Sequence, residues 1–256
     1  FCQRSTKGYK TQPLEHLNNH LKYLKDNFNV GFIIVLDENF GSNKKQAYEI
    51  ADTFKKNNML VPKYFLSKTS HENNISMKMK REKIKFPIVL KPVNEGSSLG
   101  VYICKNKIQY YKNYEKLKKK YDKILVEEYI PGKEIQAAVM GNKALGAIEL
   151  VPKREFYDYK AKYSSKAKTK HIMPAPLSTK KYKEVLFLAK KAHNLLKCRG
   201  ITRSDFRFYK NKFYLLEINT QPGMTKLSLV PEIAKYSGIK FNDLVHWMIK
   251  DASINR

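Results

Sequence analysis

Asp205, Glu217 and Asn219 stand in a pattern able to hold a hard cation. Residues 201–209 and 212–218 read as two strands of a hairpin turning at Lys210-Asn211. Asp205 and Glu217 then lie on adjacent strands, and Asn219, two beyond Glu217, shares its face. Oxygen ligands converging beside a cation, Arg203, suit Mg²⁺ bound jointly with substrate phosphates. Arg203 and Asp205 also share a strand face, so they equally fit a structural Arg–Asp pair. Glu217 weighs against that simpler reading. It interrupts the apolar run 214–218, and burying a carboxylate without a cation is costly.

A second cluster lies at 94–100, NEGSSLG, where Gly96 and Gly100 bracket Ser97 and Ser98. Backbone N–H groups and two hydroxyls there could fold over a phosphate. The P-loop pattern G-x-x-x-x-G-K-[ST] is absent, and alone the segment also fits an ordinary tight turn.

These residues need elements to position them. Residues 45–57 read as a helix with Tyr48, Ala51 and Phe54 on one face, and 62–67 as a short strand. A buried strand at 86–92 (FPIVLKP) leads into the glycine segment, and a strand at 101–104 leaves it. A Lys/Tyr-rich helix at 108–121 precedes strands at 124–130, 134–140 and 144–151. The stretch 155–177 lacks periodicity and reads as one long loop, usually a functional feature in a compact domain. An amphipathic helix at 180–197 precedes the hairpin, and two helices close the chain. Before residue 44 the pattern is weaker, with a helix-like stretch at 14–27 and an apolar run at 31–36. This order implies a mixed α+β or α/β architecture.

Composition narrows the class. The 256 residues carry 50 Lys+Arg against 23 Asp+Glu, a formal charge of +27. At 42% hydrophobic and 12% aromatic, the chain can bury a core and is not a polybasic tail. No apolar run approaches the length of a membrane span. Such charge suggests nucleic acid or an anionic membrane as partner. Yet arginine, the residue of bidentate phosphate and base contacts, stands only at positions 4, 81, 154, 199, 203, 207 and 256. Lysines are spread along the chain with abundant Asn and Ile, so no specific nucleic-acid or membrane partner is expected. Three scattered cysteines (2, 104 and 198) show no metal or disulfide spacing and indicate a reducing compartment. Residues 1–10 hold no apolar leader segment, and the absence of an initiator Met reads as a start partway into a longer protein.

Taken together, six segments in register resemble the D-alanine–D-alanine ligase family of the ATP-grasp superfamily. They are FPIVLKPVNEGSSLGV, ILVEEYIPGKEI, EFYDYKAKY, MPAPL, GITRSDF and LLEINTQPGMTKLSLVP, and the match runs from Lys44 to Ala252. The resemblance implies two subdomains gripping ATP, a central one at 44–130 and a C-terminal one at 131–256. A mobile loop spans 155–177, and residues 1–43 are a poorly assigned remnant of an N-terminal domain.

Residue roles follow from the same resemblance. Lys91 matches the lysine on the ATP phosphates, and Ser97 and Ser98 the loop that closes over phosphate. Glu127, Glu128, Tyr129 and Ile130 match the linker that holds adenine, and Glu134 the acid that binds ribose. Lys162 and Tyr163 match the loop's γ-phosphate lysine and the tyrosine bonded to the loop serine. Asp205, Glu217 and Asn219 match ligands of two Mg²⁺ (or Mn²⁺). Arg203 and the Gly223 N–H match the oxyanion stabilisers, and Ser228 with Leu229 the site for the second D-alanine. The implied reaction joins two D-alanine molecules through a D-alanyl phosphate, for peptidoglycan precursors, in the cytoplasm and in a possible homodimer. A lid that excludes water would protect the acyl phosphate.

Departures from the family pattern are confined to the N-terminal side. Its S-x-E segment and H-G-x-x-G-E motif do not occur, and Leu14-Glu15-His16 is only a faint echo. The family lysine expected near Ala47 has only Lys44 and Lys45 as candidates. The first-substrate pocket is therefore expected to be incomplete, through truncation or divergence. Two other readings stay open: a ligase for another pair such as D-alanine with D-lactate, and an impaired relative binding nucleotide or polyanion. Tyr163 within DYKAKY favours an amine acceptor.

Overall fold

The structure is a computed structural model that describes residues 52–68, 75–93, 95, 99–152, 169–225 and 228–252. Nearly all of these belong to one compact unit, Asp37–Asp251. It is built on two antiparallel sheets.

The first sheet contains β1 (Tyr64–Lys68), β2 (Ile88–Pro92), β3 (Tyr102–Cys104) and β4 (Lys123–Glu128), in the order β1-β4-β2-β3. Alternation along β2 and β4 buries Ile88, Leu90, Ile124 and Val126 on one face. Against them pack α1 (Ile75–Arg81), through Ile75 and Met79, and α2 (Lys107–Lys118), through Tyr110, Tyr114 and Leu117. Asn106 caps α2, its side chain accepting from the Gln109 N–H at 2.9 Å. The opposite face of this sheet carries Lys91 and Glu127.

The second sheet contains β5 (Lys133–Met140), β6 (Lys143–Val151), β7 (Lys170–Ile172), β8 (Ile201–Tyr209) and β9 (Lys212–Asn219), ordered β7-β6-β5-β8-β9. Both faces are used. One packs Ala137, Val139, Phe206, Phe213 and Leu215 against α3 (Thr179–Leu195), which presents Val185, Ala189 and Ala192 one helical turn apart. The other packs Ala138, Ile148, Leu150 and Ile201 against α4 (Leu229–Tyr236) and Leu244 of α5 (Phe241–Asp251). Those two helices cover only part of that face. The rest of that face carries Glu134, Gln136, Arg203, Asp205, Glu217 and Asn219, by register.

Two turns require glycine. Gly132, between β4 and β5, has φ +100° and would place a Cβ 2.2 Å from the Phe208 carbonyl oxygen. Gly100, where the glycine segment returns to β3, has φ +72° and lies against Pro92, with a Cβ position 2.9 Å from its Cγ. The β8–β9 hairpin turns on Lys210 and Asn211 at φ +46° and +61°, the two-residue loop whose twist matches the strands it joins.

Most elements lie where sequence periodicity places them, with ends shifted by a few residues. Two were not anticipated. Helix α1 falls in a stretch without a strong pattern, and β7 interrupts the segment read as one loop at 155–177. Three residues with a lysine and a histidine carry no alternation long enough to read; pairing with the edge of β6 makes Lys170–Ile172 a strand. The expected helix at 45–57 is described only over 52–56, and the readings at 14–27 and 31–36 lie outside the described residues.

Candidate functional site

On the first sheet, β2 and β4 pair with Lys91 opposite Leu125 and Val89 opposite Glu127. Lys91 and Glu127 are therefore diagonal neighbours on one face, and Lys91 Nζ lies 2.9 Å from Glu127 Oε2. Burial pulls the Lys91 ammonium down, but the Glu127 carboxylate and then that of Glu217 outweigh it, holding its pKa above 10.5. Glu217 belongs to β9 of the second sheet. The lysine of one sheet thus sits in the field of a carboxylate of the other.

On the second sheet, Arg203 and Asp205 project from one face of β8 and pair in bidentate fashion. Nε donates to Oδ1 at 2.8 Å and Nη2 to Oδ2 at 3.0 Å. The structural Arg–Asp pair allowed by the sequence does form, and it lies within the candidate site. Asp205 is directly opposite Glu217 in the ladder, and Arg203 opposite Asn219. A β-bulge between Asp205 and Phe206 makes this possible: Asp205 pairs with Glu217 but Phe206 with Leu215, leaving Leu216 unpaired. Were all three residues to alternate regularly, Glu217 would share the face of buried Leu215. The Asn219 side chain accepts from the Gln221 N–H at 3.0 Å, which shapes the turn out of β9.

Beyond that turn, the Ser228 hydroxyl accepts from the Thr225 N–H at 2.9 Å, and the Ser228 N–H donates to the Thr225 carbonyl at 2.9 Å. Gly223 lies against Ser228, with a Cβ position 2.9 Å from its Oγ. Leu229 opens α4 and is buried in the core on this side of the sheet. At the other end of the face, Glu134 pairs with Arg207 at 3.1 Å. Along the connection from β4, the Glu128 N–H donates to Lys63 and the Tyr129 N–H to Pro87, while Ile130 is buried. Glu95, within the glycine segment, accepts from the Tyr121 hydroxyl at 3.0 Å.

The structure therefore brings Lys91, Glu127, Arg203, Asp205, Glu217 and Asn219 to two sheet faces of one unit, with Glu134 farther along and Gly223, Ser228 and Leu229 at the start of α4. Ser97, Ser98, Lys162 and Tyr163 lie outside the described residues. Sequence reasoning missed Arg207 and Gln136. Both share the Glu134 face by register, and the strand alternation that placed Asp205 could have found them.

Oxygen is the donor available for a metal here. Among the described residues no three of His, Cys, Asp and Glu cluster around one point. Two carboxylates and one amide carbonyl are hard ligands of the kind Mg²⁺ accepts while leaving positions for phosphate oxygens. An oxygen bonded to one N–H keeps a second lone pair, so the Arg203 and Gln221 contacts do not exclude that use. The described thiols, Cys104 and Cys198, are pushed up by burial and offer no reactive thiolate.

The family model for the D-ala D-ala ligase C-terminus matches residues 54–250. The chain belongs to this ligase family. A D-alanine–D-alanine ligase of Pelagibacter ubique is 57% identical over 205 residues, covering 79% of this chain and 66% of the relative. One from Rhodopseudomonas palustris is 48% identical, over 66% of this chain and 57% of the relative. The chain thus spans less than two thirds of the length of these ligases. Among solved structures, the D-alanine–D-alanine ligase of Bacillus anthracis superposes with a TM-score of 0.70 at 28% identity, covering 83% of this chain and 67% of the other. The same enzyme solved with ATP gives 0.66 at 27% identity, over 79% of this chain and 64% of the other. The D-Ala:D-Ser ligase VanG of Enterococcus faecalis gives 0.70 at 26% identity, over 82% and 61%. The fold is ATP-grasp, with mixed helices and antiparallel sheets.

Proposed function

We propose that this chain carries the ATP-binding and ligating part of an enzyme that joins two D-alanine molecules at the expense of ATP. The observation that carries the reading is the placing of Lys91. It is a cation on one sheet held by Glu127 and by the field of Glu217, opposite a face that presents Asp205, Glu217 and Asn219. A triphosphate entering between the sheets would meet an ammonium on one side and oxygen ligands for a cation on the other.

In this reading Lys91 neutralises phosphate charge, and Asp205, Glu217 and Asn219 hold Mg²⁺ or Mn²⁺. The cation supplies further charge neutralisation, the main requirement of phosphoryl transfer. The carboxylate of one D-alanine takes the γ-phosphoryl group, with ADP as leaving group. The amine of the second then attacks the acyl phosphate and expels inorganic phosphate. The tetrahedral stage carries an oxyanion, for which the Arg203 guanidinium and the Gly223 N–H are suitable donors. Asp205 fixes the guanidinium through two hydrogen bonds, so no reorganisation is needed as charge develops. Ser97, Ser98, Lys162 and Tyr163 would close over the phosphates, and Ser228 with Leu229 would receive the second substrate.

The second substrate is taken to be D-alanine because the relatives at 48–57% identity are named D-alanine–D-alanine ligases. Peptidoglycan precursor synthesis in the cytoplasm, by a homodimer, follows as part of the same proposal. Among the described residues no helix is long and apolar enough to cross a membrane. The test is product formation: the chain with ATP, Mg²⁺ and D-alanine should yield D-alanyl-D-alanine and one ADP per dipeptide. ADP release that ignores D-alanine would overturn the substrate assignment, and D-alanyl-D-lactate or D-alanyl-D-serine as the preferred product would overturn the acceptor.

A further inference from the structure

Glu134 is gripped from two sides. Its cross-strand partner on β8 is Arg207, whose Nη2 lies 3.1 Å from Glu134 Oε2, with side chains only 13% and 11% exposed. Gln136, two residues along β5 and on the same face, directs Nε2 to Glu134 Oε1 at 3.4 Å. The orientation of that amide is forced. Turned round, its carbonyl oxygen would face a carboxylate oxygen, acceptor against acceptor, and Gln136 is 1% exposed. Arg207 is itself anchored, since Nη1 donates to the Gly132 carbonyl at 3.2 Å, in the turn where glycine is obligatory. Glu134 and Arg207 line a cavity of about 420 Å³ that Tyr129 also walls. The clamped carboxylate therefore borders open space beside the connection from β4.

Two adjacent hydroxyls can be read by one carboxylate only when its plane is fixed, because both hydrogen bonds depend on angle as well as distance. We infer that Arg207 and Gln136 are positioning residues that set the plane of Glu134 and so make the site selective for a ribose with both hydroxyls over its 2′-deoxy counterpart. The inference rests on Glu134 as the ribose-binding acid. Arg207 acts through Glu134 and through its Gly132 anchor, and Gln136 through Glu134 alone.

The experiment is equilibrium binding of ATP and 2′-deoxy-ATP, each with Mg²⁺, to the full chain. The wild type should prefer ATP by about tenfold, as expected for a lost hydrogen bond to a charged acceptor. Arg207→Met should reduce that preference to about threefold or less while leaving the affinity for inorganic tripolyphosphate unchanged, and Arg207→Lys should restore part of it. A merely structural role would weaken both nucleotides alike and leave the ratio intact. A wild-type ratio retained in Arg207→Met would overturn the inference and leave the nucleotide reading standing. Failure of the wild type to bind either nucleotide would overturn both. Should Arg207→Met melt below the assay temperature, Gln136→Leu is read in its place, with the same fall in ratio expected and the same retained ratio contradicting the inference.

Discussion

Leu215 and Glu217, two residues apart on β9, face opposite sides of the sheet. Regular alternation would put them on the same side. The bulge at Leu216 breaks the period, sending Leu215 into the core under α3 and Glu217 to the face that carries Asp205 and Asn219. Bulges are frequent beside active sites because one extra residue re-aims a side chain without breaking the sheet.

Deleting Leu216 should therefore leave the site in place. It makes Leu215 and Glu217 consecutive residues of a regular ladder, still on opposite faces, with Glu217 still opposite Asp205. Mn²⁺ titration in the presence of ATP should still show a site in the deletion variant, whereas Glu217→Ala should weaken it by an order of magnitude or more. Loss of the Mn²⁺ site in a folded deletion variant would contradict the assignment of Glu217 by ladder pairing.

Lys91→Met should weaken ATP binding by about tenfold or more, the effect of one lost hydrogen bond between charged groups. It should also cost roughly 1–3 kcal/mol of stability, between the limits for exposed and buried pairs, because Glu127 loses its partner. The Lys91 pKa is raised, so its stabilising contribution is present below 10.5 and is lost only as pH rises through the higher folded value. The difference in melting temperature between wild type and Lys91→Met should accordingly persist through neutral pH and shrink only in strongly alkaline buffer. Calorimetry and melts across that range check both statements.

Asp205→Ala and Asp205→Asn should differ in stability but agree in metal binding. Alanine leaves the mostly buried Arg203 guanidinium without its two acceptors and should cost about 3–5 kcal/mol. Asparagine keeps one acceptor and should cost less. Both remove a negative metal ligand, so both should weaken Mn²⁺ binding in the presence of ATP by an order of magnitude or more. Unchanged Mn²⁺ affinity in both variants would exclude Asp205 as a ligand.

His193 gives a pH signature away from the site. Its ring is 3% exposed, with Nδ1 2.8 Å from the hydroxyl oxygen of fully buried Thr202. Burial lowers its pKa below 6.5, only partly offset by a backbone hydrogen bond with Cys198. The unfolded chain then binds the proton more readily than the folded one, so stability falls as pH drops through about 6.5. His193→Gln should melt lower at neutral pH yet lose less between neutral and mildly acidic buffer than the wild type does. Parallel loss in both proteins would remove His193 as the cause.

The sequence was most legible where periods are long. The apolar runs of β2, β4 and β5 and the turn spacing of α3 gave those elements, and the ordered motifs gave the family. Asp205, Glu217 and Asn219 were also chosen correctly as companions on one face, but for an incomplete reason. Strand alternation relates Glu217 to Asn219, while only the bulge, a matter of ladder geometry with no residue signature, relates Glu217 to Asp205. Strand β7 was too short to show a period, and α1 lacks the apolar spacing of the longer helices. Arg207 was hidden by its neighbours: in a strand of alternating aromatics it looks like an exposed cation, and only the register with β5 sets it against Glu134. The charge of +27 gave the least guidance, since Lys91, Arg203 and Arg207 matter through their partners rather than their number.

The measurement closest to the central claim uses D-alanine with heavy oxygen in its carboxylate. If ATP phosphorylates that carboxylate and an amine then displaces phosphate, the carboxylate oxygen leaves with the phosphate. Incubated with ATP, Mg²⁺ and labelled D-alanine, the chain should release inorganic phosphate carrying one heavy oxygen and form D-alanyl-D-alanine in equal amount. Unlabelled phosphate would mean that water, and not D-alanine, had taken the phosphoryl group, and would contradict the assignment of this site as a D-alanine ligase centre.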